Sequence, residues 1–222
     1  MFNEKREEMM TTNKLGGYSM VLAVILLFIS GIPGIDGTHL SRSLEIFGFT
    51  GVIFGVFIWA EHLRNSSSID NGLLRLIPVL VLLGWTSQLL GSAITSISEH
   101  ATIENTNAIR MIPASFFLGV GSLGWLGNML AQYVVLTRPD FNANKFYRIL
   151  TGITAIASLA LAILTHSMLY LIESIEPATI AGTMGKWNIT GDLGSILGII
   201  LIPTLILTTL WAIFTGITLS RK

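Results

Sequence analysis

The chain has 222 residues, of which 51% are hydrophobic and only 12% charged, and its mean hydropathy is +0.70. A water-soluble domain carries about 25% charged residues, so there is too little charge here to cover a water-exposed surface of this size. The net charge of zero offers no basic footprint for nucleic acid, and the absence of cysteine excludes disulfides, thiolate metal sites and a cysteine nucleophile.

Residues 1–14 mix Glu4, Glu7 and Glu8 with Lys5, Arg6 and Lys14, whereas a secretory leader begins net positive. This stretch is expected to be a cytoplasmic N-terminal segment. The apolar block after it is longer than a leader's apolar region and is expected to be a retained first span. A helix rises about 1.5 Å per residue, so roughly 20 apolar residues cross the bilayer core. Six blocks reach that length, at about 15–35, 43–63, 73–97, 111–136, 146–172 and 191–219. None alternates as a membrane β-strand would. Asn65–Gly72 and Thr137–Asn144 are short and polar and read as turns. The expected fold class is therefore all-α: a polytopic transmembrane helical bundle of six spans, forming one domain over residues 15–219, with 220–222 as a cytoplasmic C-terminus.

Lys and Arg in short loops are retained on the cytoplasmic side. With six spans, one side holds Lys5, Arg6, Lys14, Arg64, Arg75, Arg138, Lys145, Arg148, Arg221 and Lys222, and the other only Arg42, Arg110 and Lys186. Ten bases against three predict N-in, C-in. A span more or fewer would scramble that tally. Asp36, Glu45, Glu99, Glu104, Glu173, Glu176 and Asp192 fall on the outer side, making the bundle acidic outside and basic inside.

Within lipid, helices associate through small residues and scattered polar contacts. The third span carries Gly84, Gln88, Gly91 and Thr95 on one face, and the fourth carries Gly121, Gly124, Asn128 and Gln132. These stripes predict that the two spans pack together, with Gln88 and Asn128 close enough to hydrogen-bond. Gly51–Gly55 and Gly194–Gly198 have the GxxxG spacing, which permits close approach within the bundle or between protomers. Trp59 and Trp187 fit interfacial anchors, whereas Trp85 and Trp125 fall near mid-span and are expected to pack in the core.

Ionisable residues at membrane depth are costly and often functional. His166, within the outer part of the fifth span, is the clearest one. With Glu45, Glu173 and Asp192 it forms a candidate outward-facing site for a metal ion or a proton relay, since imidazole suits both tasks. Gln88 and Asn128 are the other binding candidates. The bland alternative is a histidine satisfied inside the bundle, with solvated loop acids and amides that only hold helices together. No residue pattern names a cofactor or a catalytic group: HExxH, a P-loop and GxSxG are absent, and every lysine lies outside the spans. Two functions follow as expectations. The first is a non-enzymatic membrane subunit or structural, partner-binding bundle. The second is a small transporter or metal-dependent membrane enzyme using the outer histidine and acids. The expected partners are the lipid bilayer and a second copy or a membrane-complex subunit, with no nucleic acid. The compact chain and short loops suit a cell membrane, specifically a prokaryotic plasma membrane.

Overall fold

A computed structural model describes residues 2–32, 34–35, 38–66, 71–100, 116–138, 144–168, 172–175, 187–189 and 193–221. The helices are α1 (Phe2–Ser30), α2 (His39–Ser66), α3 (Asn71–His100), α4 (Gly121–Leu136), α5 (Lys145–Met168) and α6 (Leu193–Ser220), and a π-helical turn, Phe116–Val120, leads into α4. Five of them, α1, α2, α3, α5 and α6, are long and apolar enough to cross a membrane. The π turn and α4 form a further helical run from Phe116 to Leu136 without a charged residue. The expected helical bundle is the fold observed.

The element boundaries depart from hydropathy in two places. Helix α1 starts at Phe2, so the polar N-terminal segment continues the first helix. It also stops at Ser30 although the apolar block runs to Ile35. Gly31 lacks the side-chain restraint that favours helix, Pro33 lacks an N–H, and Gly34 adopts φ +92°, a left-handed conformation natural to glycine. Two short strands, β1 (Ile172–Ile175) and β2 (Trp187–Ile189), add an element that the sequence reading lacked. They pair antiparallel, Ser174 opposite Asn188 and Ile175 opposite Trp187, between α5 and α6.

Helix starts follow local chemistry. Thr38 Oγ1 accepts the Ser41 N–H at 3.1 Å at the head of α2, and Asn144 Oδ1 accepts the Phe146 N–H at 2.9 Å at the head of α5. Both are N-caps that satisfy donors the helix cannot pair. Each helix packs against its neighbours in sequence, and α6 returns to α1, so the six close into a ring. Glycine sets several of these approaches. Side chains and backbone of α1 (Ala23, Ser19 and Met20) lie against Gly51 and Gly55 of α2, so this GxxxG pair is consumed inside the bundle. Gly17 of α1 meets the Gly216 carbonyl and Ser220 of α6, and Gly84 of α3 lies directly on the backbone of Gly124 in α4.

Helix α4 is the most enclosed. Gly121, Gly124, Trp125, Gly127, Asn128, Ala131, Gln132, Val134 and Val135 are among its buried residues. Phe49 of α2 stacks on Trp85 of α3 at 5.4 Å, and Trp85 meets Trp125 of α4 edge-on at 5.3 Å. This is the core role expected of the two mid-span tryptophans. Trp59 is 1% exposed and packs in the same core, which corrects its expected place at the interface. The exposed faces are apolar instead: Leu15, Tyr18, Leu22, Ile25 and Phe28 on α1, and Ile149, Ile153, Ile156 and Ile163 on α5.

Candidate functional site

The outer histidine and acids do not converge among the described residues. His166 lies on the exposed flank of α5, one position beyond the fully buried Thr165. Glu45 is half-buried on α2 and pairs with Arg42 one turn earlier at 3.3 Å. Helices α2 and α5 are not neighbours in the ring, so these two residues stand on different sides of the bundle. Glu173 belongs to β1, but its side chain is outside the described residues, as is Asp192 altogether. No group of three or more histidines and acids poised for a metal occurs among the described residues.

The amide pair is separated by register. Helices α3 and α4 do pack along their glycine stripes, with Gly84 on Gly124 and Gly127 against Leu80 and Val81. That alignment sets Gln88 beside Gly121, while Asn128 lies level with the residues before Gly84. Seven residues of helix, about 10 Å, separate Gln88's position on α4 from Asn128, so the expected hydrogen bond is not made. Asn128 is buried, and Gln88 Nε2 is buried without a partner among the described residues. The π turn explains one nearby contact. Widening the helix there alters the carbonyl pattern, and the Phe116 carbonyl accepts a second contact from Ser87 Oγ at 3.3 Å.

The strongest polar feature is one the sequence reading missed. On α5, Tyr147, Thr151, Thr154, Ser158 and Thr165 occupy one buried face, the last four wholly inaccessible. Their spacing of three, four or seven residues keeps them in one stripe. On α6, Thr204, Thr208, Trp211 and Thr215 repeat the arrangement, and α5 and α6 are neighbours in the ring. Thr151, Thr154, Thr204 and Thr215 each donate to the carbonyl four residues back at 2.7–2.8 Å. Because the Thr215 hydroxyl spends its hydrogen on Trp211, the Tyr147 hydroxyl is the donor in their 2.7 Å contact. Ser158 Oγ, Thr208 Oγ1 and both amide atoms of the fully buried Gln132 in α4 have no partner among the described residues. A buried polar group left unpaired costs about 1–3 kcal/mol, and lipid offers nothing to satisfy it. Hydroxyls and carboxamides donate and accept without carrying charge at neutral pH. The unpartnered groups of Ser158, Thr208 and Gln132 are therefore neutral hydrogen-bonding positions inside the packed bundle.

A second polar cluster lies where α2 and α4 end. Arg138, 3% exposed, donates from its guanidinium to the Leu63 carbonyl at 3.3 Å. Its own N–H bonds to the Val135 carbonyl at 3.2 Å. The cation thus sits against the C-terminal ends of two helices, where exposed carbonyls make the potential negative. Beside Leu63, His62 Nδ1 meets Asn13 Nδ2 at 2.9 Å, linking α1 to α2. The amide is the donor, so this ring nitrogen is the acceptor.

Comparison with protein-family models, curated proteins and solved structures finds no match for this chain. Sequence spacing alone carried two signals for the geometry of the site: the hydroxyl repeat from Tyr147 to Thr165, and the alternation that puts His166 with Ile156, Leu159 and Ile163 on the outer flank.

Proposed function

We propose that the chain is a six-span membrane protein, N-in and C-in in a prokaryotic plasma membrane, acting as a non-enzymatic, partner-binding bundle. The observation that carries this reading is the dispersal of its chemically capable side chains. His166 and Glu45 are held on non-adjacent helices, and Glu45 is paired with Arg42, while the ring closes around packed tryptophans and glycines. The basic residues of the short loops supply the orientation.

The absence of native cysteine makes topology directly testable. Single substitutions Asn65→Cys and Ile32→Cys occupy opposite ends of the bundle. In intact cells, a membrane-impermeant maleimide is expected to label Ile32→Cys and to leave Asn65→Cys unlabelled until the cells are lysed. The reverse pattern overturns the orientation. Native mass spectrometry from nanodiscs then tests the role. A stoichiometric protein partner or a second copy is expected, and a bare monomer holding a metal ion would refute the partner-binding reading.

The buried hydroxyl seam supports a second reading, a small transporter passing water or a neutral polar solute between α4, α5 and α6. Its unpartnered Ser158, Thr208 and Gln132 groups would provide successive hydrogen-bonding stations. In proteoliposomes this reading expects osmotic water permeability above that of empty vesicles, lowered several-fold by Ser158→Ala with Thr208→Val. Permeability equal to empty vesicles rejects it.

A further inference from the structure

We propose that the groove between the basic-end portions of α2 and α3 binds the phosphate of an anionic phospholipid, with the lipid's chains lying along the bundle's flank. This inference rests on the membrane reading above. The cavity there, about 180 Å³, is lined by Phe57, Ala60, Glu61 and Arg64 of α2 and by Leu74, Arg75 and Pro78 of α3. The α2 residues recur at i, i+3, i+4 and i+7, a single helical stripe. Pro78 supplies a physical origin for the space. It lies inside α3 and cannot donate to the carbonyl of Leu74, and its ring crowds that carbonyl. Leu74 and Pro78 are both part of the cavity wall.

The lining is divided by chemistry along the helix axis. Arg64 and Arg75 stand toward the helix ends, and Phe57 and Pro78 lie deeper in the apolar stretches Leu40–Asn65 and Gly72–Leu90. Glu61 neutralises Arg64 in part through a 2.6 Å ion pair. Arg75 is exposed and has no ion pair among the described residues. The lining therefore keeps one net positive charge, next to a cation that can share its fork of donors between Glu61 and a phosphate. Below it, the exposed Phe54, Phe57, Val79, Leu82 and Leu83 continue as an apolar flank. A free phosphate would use only the mouth of this groove. A phospholipid satisfies both halves, and basic pockets between helices at the cytoplasmic face suit anionic headgroups.

The test uses the full chain in nanodiscs of phosphatidylcholine, alone or mixed with phosphatidylglycerol, with retained lipids counted by native mass spectrometry. The expected result is preferential retention of phosphatidylglycerol, weakened about fivefold by Arg75→Ala and similarly by Arg64→Ala, as basic residues near a membrane surface contribute. Arg148→Ala removes an exposed base on α5, away from the groove, and is expected to change retention little. Wild-type retention in both groove variants, or an equal loss in Arg148→Ala, overturns the site. Inorganic phosphate that displaces the lipid completely at millimolar concentration would assign the site to free phosphate instead. A chain that enters neither kind of disc refutes the membrane reading itself. A chain that enters phosphatidylcholine discs and shows no phosphatidylglycerol preference refutes only the lipid site.

Discussion

Gly84→Val is expected to remove most of the folded protein from the membrane, because no room exists for any atom beyond the α-carbon at that position. A Cβ there would land on the backbone N and Cα of Gly124, and a backbone cannot swing aside as a flexible side chain can. Overpacking a core costs typically 1–3 kcal/mol, and this collision falls at about 3 kcal/mol or more, since α3 and α4 must separate along their length. Separation would also break the Trp85–Trp125 contact and the seat of Gln88 against Gly121. The comparison variant is Gly152→Ala on α5, where an added Cβ meets nothing within 4 Å. It is expected to be neutral or to stabilise by about 0.5–1 kcal/mol, through the better helix propensity of alanine. Denaturant titration of both variants in the same detergent separates the cases. Equal midpoints would show that the α3–α4 approach is not as close as described.

Arg138→Met is expected to cost about 1.5–3 kcal/mol, the range for a hydrogen bond made by a charged group. Methionine retains much of the side-chain volume but loses the bond to the Leu63 carbonyl and the cation at two helix C-termini. For a chain of this size, that loss corresponds to a fall in melting temperature on the order of 5 °C. Arg138→Lys keeps the charge without the planar fork and is expected to fall between the two. The matching surface change, Arg64→Met, removes an exposed pair with Glu61, and such pairs contribute about 0–1 kcal/mol. Melting curves in detergent for the three variants check the order. Arg138→Met melting with the wild type would rule out a structural role for the buried guanidinium.

How much of this was legible depends on which physical effect wrote the signal. Span length is a matter of summed transfer energy, and apolar block length therefore located the helices well. Helix ends are set by backbone chemistry instead, which is why Gly31, Pro33 and Gly34 ended α1 before its hydropathy did. The α3–α4 contact was readable because small residues recur on one face. The axial register was not, since the glycine stripes alone allow several alignments, and only the Gly84–Gly124 seating separates Gln88 from Asn128. His166 is the ionisable residue that the sequence places at depth. Its neighbours on the helical wheel, Ile156, Leu159 and Ile163, carried the better information, because they face outward. The hydroxyl seam escaped because threonine and serine read as neutral on a hydropathy scale. Their meaning came from sharing a face, with their hydrogens turned back onto the helix in five of the threonines. Strands β1 and β2 are too short to carry a periodic signal of their own.

The return of α6 onto α1 has a consequence for biogenesis. Synthesis delivers α1 before α6, so the face of α1 around Gly17 and Met20 waits for Gly216 and Ser220 until the helices between them have been made. The other neighbours can pair as each hairpin of helices emerges, whereas this joint links the two helices most distant in sequence. Closing a joint between such distant segments carries an entropic cost that the sequence-adjacent pairs do not. A ribosome stalled before α6 would thus leave an open arc of five helices, with its hydroxyl-bearing α5 face turned to lipid.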